Sequence, residues 1–302
     1  MIKNNMQTLN CNENFLAIEE EYSNYNDSKI VIVSAPYEHT VSYGSGTSNG
    51  PKSIIDASQY VEFYDDEFDT EICFSEKIAT LHPVDLTNCY DEKMLEKLEN
   101  EINKLLSDNK FVVTLGGEHT ISIATIQAHF KKYPKMSILH FDAHSDLRDE
   151  YQSTKYSHAS FMARVSEFFP NDKITQVGIR AQCIEENRFI KEHKINTFYA
   201  SAIRRGLHGQ DWQTQIVNTL QKEIYITFDV DYFDPAIMPT TGTPEPDGFL
   251  YNETIEIFRK IREAGKKIIG FDVVELSPVE TIHHTNLTTA RLIYKLLNIV
   301  FA

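Results

Sequence analysis

Three segments of the sequence each place metal-binding side chains directly after a short apolar run. The six side chains are His119 in the first segment, Asp142, His144 and Asp146 in the second, and Asp229 and Asp231 in the third. Alternate residues of an extended backbone point to the same side, so the second and third segments can each present their side chains together. Each segment alone could be an ordinary polar loop. Polar side chains that converge at a strand end without a partner cost free energy, which argues against that interpretation. The three segments together predict a metal site.

The donor atoms of this predicted site indicate which metals it would bind. Carboxylates and imidazoles without thiolate disfavour a structural zinc ion and favour manganese, with nickel, cobalt or iron as substitutes. An Asp-x-Asp pair taken alone would also suit magnesium or calcium. Four carboxylates balance the charge of two divalent ions, and one bridging hydroxide then gives the metal site a formal charge of about −1. A site of that charge favours a cationic substrate.

Strands and helices alternate along the chain, and this order predicts the sheet that would bring the three segments together. Strands are predicted at residues 30–33, 111–115, 136–141, 174–179, 224–229 and 267–271. Helices are predicted at residues 92–106, 121–131, 159–168, 185–193, 212–221, 253–263 and 288–300. Such alternation is typical of an α/β fold whose parallel sheet has helices on both faces. Ligands of these sheets bind beyond the carboxyl ends of the strands, where the three segments lie.

Composition and charge argue against several other classes of protein. The net charge of −15 disfavours a nucleic-acid partner, because phosphate recognition needs clustered Lys and Arg. No apolar run reaches membrane-spanning length, and residues 1–5 do not begin a signal peptide, so no membrane association is expected. The four scattered cysteines lack CxxC spacing and indicate neither a zinc site nor a redox pair. We expect a cytoplasmic protein with one domain over residues 1–302, in which residues 1–28 form an N-terminal extension or peripheral segment.

Five motifs, in this order along the chain, resemble those of the ureohydrolase family of arginases and agmatinases. They are Gly116-Gly117-Glu118-His119, Asp142-Ala143-His144-Ser145-Asp146, Phe228-Asp229-Val230-Asp231, Gly242-Thr243-Pro244-Glu245 and Gly270-Phe271-Asp272-Val273-Val274-Glu275-Leu276-Ser277-Pro278. The resemblance extends from about Ser34 to the C-terminus. It implies a three-layer α/β fold with a central parallel sheet, and assembly as a homotrimer or homohexamer.

The same resemblance implies a ligand set for two manganese ions. One ion would be held by His119, Asp142, Asp146 and Asp229, and the other by Asp142, His144, Asp229 and Asp231. Asp142 and Asp229 would therefore bridge the two ions. Two metals about 3.5–4 Å apart can share a water molecule and lower its pKa toward neutrality.

Three further residues match positions that the family uses for catalysis and substrate binding. Glu275 matches the guanidinium-binding glutamate, His158 matches the proton-relay histidine, and Thr243 belongs to the substrate-binding loop. The resemblance implies that the bridging hydroxide attacks the guanidinium carbon, that Asp146 accepts its proton, and that the proton then moves to the departing amine. Without the resemblance, Glu275 would pass for a surface ion-pair partner and His158 for a residue at a helix start.

The stretch after the second segment favours the agmatinase branch of the family. Members of the family that resemble arginase have a loop at this position that contains Asn and Ser and binds the α-carboxylate and α-amino groups of the substrate. Residues 147–155 lack this pattern. We therefore expect hydrolysis of agmatine to putrescine and urea, a step of polyamine biosynthesis. The alternatives are a guanidinobutyrase, guanidinopropionase, guanidine hydrolase, arginase or formiminoglutamase, then a mononuclear zinc deacetylase-like enzyme or an inactive metal-binding relative.

Four residues have roles that the sequence leaves open. Asp247 is either a surface turn residue or a ligand for the distal amine of a diamine-type substrate. His39 follows the first strand in a loop of a type that often lines a pocket, although a structural role is the favoured interpretation. His283 and His284, near the C-terminus, have no assigned role. A fifth residue, Asp234 before Pro235, is predicted to be a turn residue that bonds its own backbone.

Overall fold

One sheet of eight parallel strands forms the centre of the protein in this computed structural model, which describes residues 6–302. The strands are β1 Ile30–Ala35, β2 Ile78–Thr80, β3 Phe111–Gly116, β4 Ser137–Phe141, β5 Ile174–Val177, β6 Asn196–Phe198, β7 Glu223–Asp229 and β8 Lys267–Val274. Their order across the sheet is β2-β1-β3-β8-β7-β4-β5-β6, and every neighbouring pair is parallel. The predicted α/β fold with a parallel sheet is confirmed.

Helices cover both faces of this sheet. They are α1 Glu20–Ser23, α2 Gly50–Ser58, α3 Asp91–Ser107, α4 Ser122–Lys132, α5 Phe161–Ser166, α6 Ile184–His193, α7 Ala200–Arg204, α8 Trp212–Thr219, α9 Tyr251–Glu263 and α10 His284–Phe301. The apolar core has two layers: α2, α8, α9 and α10 pack on one face, and α3, α4, α5 and α6 on the other. Alternate residues of β1 enter opposite layers, with Ile30 and Ile32 in one and Val31 and Val33 in the other. Within residues 6–302, every helix is too short or too polar to cross a bilayer.

The differences from the predicted elements have local causes. β2 and β6 were missed because each has only three residues, too few to form a recognisable apolar run. The fifth strand was predicted two residues too long, and Gly178, at φ +99°, lies directly after its true end. The last strand was predicted too short because the buried Asp272 interrupts its apolar pattern.

The N-terminal segment of the described chain packs against the β2 edge of the sheet. The main-chain amide of Leu9 donates to the carbonyl of Thr80 at 2.8 Å, and that of Phe15 donates to the Thr80 hydroxyl at 2.9 Å. Phe15, Leu16 and Ile18 are buried in the core. Residues 1–5, the start of the predicted peripheral segment of residues 1–28, lie outside the described residues, and so does the prediction that they do not begin a signal peptide.

Four central strands lie side by side in the order β3-β8-β7-β4, and their carboxyl ends meet at one edge of the sheet. His119 follows β3, Glu275 follows β8, Asp229 ends β7 and Asp142 follows β4. Parallel pairing alone therefore brings residues from distant parts of the sequence to one place.

Candidate metal centre and active site

His119 is the centre of the first group of converging side chains. Its Nδ1 atom lies 3.1 Å from Asp142 Oδ2, 3.4 Å from Asp146 Oδ2 and 3.4 Å from Asp229 Oδ2. All four side chains are at least 90% buried. The structure thus brings together the four residues that the sequence predicted around one metal ion.

His144 forms the second group with Asp231 and with Asp142, which also belongs to the first group. Its Nδ1 atom is 2.9 Å from Asp231 Oδ2 and 3.5 Å from Asp142 Oδ1. Asp229 Oδ1 accepts a hydrogen bond from the main-chain amide of Asp231 at 2.8 Å, which ties these two aspartates together. Asp142 belongs to both groups, since its two oxygens face different histidines.

The backbone brings Asp146 into the site by a route that strand alternation does not describe. Asp142 follows β4 directly, but Asp146 has φ +52°, in the left-handed region that non-glycine residues seldom adopt. Residues 142, 144 and 146 were predicted to converge because an extended backbone would point them to the same side. An extended backbone does not account for the position of Asp146. The carbonyl of Asp146 accepts amides of Met162 and Ala163 at the start of α5, which holds this turn.

The titration of these groups is governed by burial and mutual repulsion. Burial, followed by the charge of Asp142, raises the pKa of Asp146 to about 7, and burial with the charges of Asp231 and Asp142 raises the pKa of Asp229 well above its usual range. Burial alone would lower the pKa of His119, but the surrounding carboxylates outweigh it and the pKa lies well above its usual range. Protons therefore stabilise the cluster in the absence of cations, and a divalent ion would displace them.

The hydrogen bonding of His119 fits a metal ligand. Its Nδ1 makes no hydrogen bond of good geometry, although three carboxylate oxygens surround it. Its Nε2 lies 2.9 Å from the Thr227 hydroxyl, which in turn donates to Asp272 Oδ1 at 2.7 Å. Because the Thr227 proton goes to a carboxylate, Thr227 must accept from Nε2–H, which leaves the Nδ1 lone pair free for a metal. Sequence reasoning missed both Thr227 and Asp272.

His140 is a buried histidine next to the cluster that acts as a hydrogen-bond donor to Asp142. Its Nε2 lies 2.7 Å from Asp142 Oδ2, and its Nδ1 lies 3.1 Å from the side-chain nitrogen of Gln176. That nitrogen also donates to the carbonyl of Ser145 at 2.9 Å, which fixes the orientation of the amide. Nδ1 therefore accepts, and Nε2–H donates to Asp142. His140 and Gln176 were also missed by sequence reasoning.

Glu275 lies beside the cluster with one oxygen anchored and the other facing the neighbouring loop. Oε1 accepts the main-chain amide of His119 at 2.7 Å, and Oε2 lies 3.7 Å from the place that a Cβ would occupy on Gly242. Its φ of +66° is left-handed, as at Asp146. Burial, followed by the charge of Glu118, raises the pKa of Glu275 well above its usual range. The alternative of a surface ion-pair partner is excluded, because Glu275 is only 9% exposed.

His158 faces the same region from a short helical turn before α5. Its Nδ1 lies 3.1 Å from the Thr40 hydroxyl, and its Nε2 lies 3.3 Å from the Ser42 hydroxyl. Burial lowers its pKa, and the charge of Glu118 opposes that effect. Thr40 and Ser42 belong to the polar loop after β1, which therefore contacts the site through residues other than the His39 that the sequence singled out.

A cavity of about 170 Å³ connects these groups. It is lined by Ser42, His144, Asp146, Arg148, Tyr151, His158, Ala159, Asp229, Thr243 and Glu275. All three residues predicted to bind substrate thus line one cavity together with metal-ligand candidates. Larger cavities of about 270 and 580 Å³ lie against α9 and α10 and at the opposite end of the sheet, but neither contains a predicted site residue. The chemistry of the lining, and not cavity size, locates the site.

The residues with open roles lie outside this cavity. Asp247 is exposed with φ +66°, and its carboxylate is 3.6 Å from Arg204 Nε, as in a surface turn. The His39 amide donates to Glu118 Oε2 at 2.7 Å, and its ring packs against Tyr90. His283 and His284 lie at the start of α10. Separately, the turn role of Asp234 is confirmed, since its carboxylate accepts the amides of Ala236 and Gly248.

Comparisons with known proteins agree with this geometry. The sequence model of the Arginase family matches residues 28–298. The chain is 34% identical to N(1)-aminopropylagmatine ureohydrolase of Synechocystis sp., covering 92% of this chain and 91% of the relative. It is 32% identical to the agmatinase of Halalkalibacterium halodurans, covering 85% and 86%. The crystal structure of agmatine ureohydrolase of Thermoplasma volcanium is similar with a TM-score of 0.81 and 28% identity, covering 92% of this chain and 91% of that one.

Proposed function

The chain belongs to the arginase family and is a hydrolase of amidine C–N bonds, and from this premise we propose that it hydrolyses agmatine to putrescine and urea. The observation that carries the proposal is the buried cluster of His119, His144 and four aspartates beside the Glu275 carboxylate. Such a cluster is electron-rich and buried, so it favours a substrate whose reacting group is a planar cation.

The donor set fits two divalent cations, and manganese is the metal that we propose, with nickel, cobalt or iron as substitutes. One ion would be held by His119, Asp142, Asp146 and Asp229, and the other by Asp142, His144, Asp229 and Asp231. The hydrogen bond from His119 Nε2 supports the first assignment, because it leaves Nδ1 free to bind metal. When bound, the two ions would supply a water molecule of lowered pKa as the nucleophile.

Glu275 would orient the guanidinium group. Its Oε1 is fixed by the His119 amide, so the carboxylate plane has little freedom to turn. A guanidinium fork pairs with a carboxylate through two parallel hydrogen bonds, which fixes the plane of the substrate as well as its distance. A bound cation would lower the raised pKa of Glu275 and keep the side chain ionised. Thr243 lines the same cavity and is proposed as a second substrate contact.

Asp146 and His158 would transfer the proton that is released when the nucleophile attacks the guanidinium carbon. Both line the cavity that contains Glu275, so a substrate held there lies within reach of each. We assign to Asp146 the acceptance of the proton released during the attack, and to His158 its delivery to the departing amine. This second step matters because an unprotonated amine is a poor leaving group, and proton transfer by a positioned side chain removes that obstacle.

N(1)-aminopropylagmatine, which is longer than agmatine, is the second candidate substrate. Three relatives with the corresponding ureohydrolase name are each 34% identical to the chain, while five agmatinases are 28–32% identical.

Urea release from parallel substrates tests the proposal. The protein reconstituted with Mn²⁺ would be assayed with agmatine, N(1)-aminopropylagmatine, guanidinobutyrate, arginine and guanidine at matched concentrations. We expect the highest kcat/KM with agmatine, and a preference for the longer amine would select the second candidate. Equal or faster turnover of guanidinobutyrate or guanidine would refute both. The His144→Asn variant is the control, because full activity without this imidazole would contradict the metal assignment.

Assembly, compartment and domain organisation complete the proposal. We infer a homotrimer or homohexamer in the cytoplasm, made of chains that each form one ureohydrolase domain over residues 1–302. The packing of Phe15, Leu16 and Ile18 into the core supports inclusion of the N-terminal residues in that domain. Light scattering coupled to size-exclusion chromatography would measure the number of chains, and a monomer would contradict the assembly.

A further inference from the structure

A buried carboxylate, that of Glu118, lies close to His158, and both residues line a small pocket with Thr243 and Glu275. Glu118 is 1% exposed, and its two oxygens accept four hydrogen bonds. Oε2 accepts the amides of His39 and Thr40, both at 2.7 Å. Oε1 accepts the hydroxyls of Thr40 at 2.9 Å and Thr120 at 2.7 Å. All four of these partners are donors, which matches the acceptor chemistry of a carboxylate.

Thr40 connects this carboxylate to His158. Its hydroxyl has one proton to donate, and two acceptors compete for it: Glu118 Oε1 at 2.9 Å and His158 Nδ1 at 3.1 Å. The carboxylate is the stronger acceptor and the nearer one, so the proton points to Glu118. The Thr40 oxygen must then accept from His158, whose main-chain amide already donates to it at 3.1 Å. His158 Nδ1 therefore carries a proton directed at Thr40.

This arrangement determines which nitrogen of His158 is available for chemistry. With Nδ1 protonated, the neutral ring has its lone pair on Nε2. Nε2 lies on the side of the ring that Ser42 contacts at 3.3 Å, and Ser42 lines the cavity with His158. The nitrogen that would take up and release a proton therefore lies on the side of the ring next to Ser42, a residue of the cavity lining.

We propose that Glu118 and Thr40 are positioning residues that hold His158 in the Nδ1–H tautomer, with Nε2 directed at the departing amine. This inference rests on the proposed function, since it assumes that His158 transfers a proton. When His158 is doubly protonated, Nδ1–H remains bonded to Thr40, and the negative charge of Glu118 behind the hydroxyl stabilises the imidazolium. When Nε2 gives up its proton, the same contacts restore the ring to the reactive tautomer. Carboxylate, hydroxyl and imidazole thus act as one unit across three segments of the chain.

Substitution of Thr40 tests the proposal directly. Thr40→Val retains the shape of the side chain but removes the hydroxyl, whereas Thr40→Ser retains the hydroxyl. We expect Thr40→Val to lower kcat by about 10- to 100-fold with KM and metal content nearly unchanged, because proton transfer contributes at least that factor. Thr40→Ser should recover most of the rate. Thr120→Val is the matched control, since Thr120 donates to the same Glu118 oxygen but does not touch His158.

A double variant separates positioning from a merely structural role. If Thr40 acts through His158, then Thr40→Val should lower kcat much less in a His158→Asn background than in the native one. Equal losses in both backgrounds, or a Thr120→Val variant as slow as Thr40→Val, would overturn the proposal. Failure of the proposed function gives a different result, because the native protein would then release no urea from any guanidino substrate. Circular dichroism identifies any variant that fails to fold. If Thr40→Val fails to fold, the kcat of Thr40→Ser, compared with that of the native protein, decides the outcome.

Discussion

Removal of the Thr227 hydroxyl would break the contact that holds His119 in its metal-binding tautomer. Thr227 is fully buried in β7 and links His119 Nε2, at 2.9 Å, to Asp272 Oδ1, at 2.7 Å. Thr227→Val preserves the volume and the β-branched shape of the side chain. The substitution therefore removes the contacts of the hydroxyl with His119, Asp272 and Ser122 without opening a cavity, and its effects can be attributed to their loss.

The structure gives the expected size of the effect. The Nε2–H group of His119 would lose its acceptor, and an unsatisfied buried donor costs about 1–3 kcal/mol of the free energy of unfolding. Asp272 Oδ1 would keep Ser122 as its one remaining donor, at 3.0 Å. An outer partner of a metal-bound histidine contributes about 10- to 100-fold in affinity. Tenfold in affinity corresponds to about 1.4 kcal/mol, so the two expected losses are of similar size.

Metal titration of the metal-free protein measures this directly, by competition with a chelator of known affinity. Thr125→Val is the matched control, because Thr125 is equally buried and donates to the other oxygen of Asp272 at 3.0 Å without contacting His119. Both variants should be less stable toward urea, but Thr227→Val alone should bind metal weakly. Native affinity in Thr227→Val, or an equal loss in Thr125→Val, would refute the assigned tautomer of His119.

Three further predictions follow from buried contacts. The pKa of Asp146 is raised to about 7 in the folded protein, so the same carboxyl ionises at lower pH in the unfolded chain. The free energy of unfolding should therefore fall between about pH 4 and pH 7, as measured by urea denaturation in the presence of a chelator. A urea midpoint that does not change over this pH range would contradict this. Gln176→Leu removes the donor to His140 Nδ1 and should weaken metal binding by about tenfold in a chelator competition, whereas unaltered binding would exclude this role. Gly117→Ala would place a Cβ 2.0 Å from the Tyr37 carbonyl oxygen and should destabilise the protein by about 3 kcal/mol or more in thermal unfolding; a native melting temperature would show that the loop can move.

The sequence predicted the ends of β4 and β7 correctly because apolar runs and ligand-type residues occur there together. Asp142 and Asp229 follow such runs directly, and parallel pairing brings them to one edge. Thr40 could not be predicted in the same way. Its partner His158 lies 118 residues away in a second loop, and the two are brought together by tertiary folding. Similarly, the left-handed backbone at Asp146 follows from its surroundings and has no signal in the residue type.

The residues that support the ligands do have a signal in the sequence, and the sheet explains it. Gln176, His140, Thr227 and Asp272 are successive register partners on β5, β4, β7 and β8, and all are fully buried. A polar row in the interior of a parallel sheet is unusual, since such strands are mostly apolar.

The position of this row explains why it is polar. His140 precedes Asp142 by two residues and donates to it, whereas Thr227 precedes Asp229 by two residues but accepts from His119, the ligand after β3. Their contacts to Gln176 and Asp272 then pass across neighbouring strands, which fixes the imidazole protons. A polar residue two positions before a ligand in an otherwise apolar strand is therefore the sequence signal for the second layer of such a site. By the same reasoning, the ligand geometry depends on the register of the sheet as much as on the loops that carry the ligands.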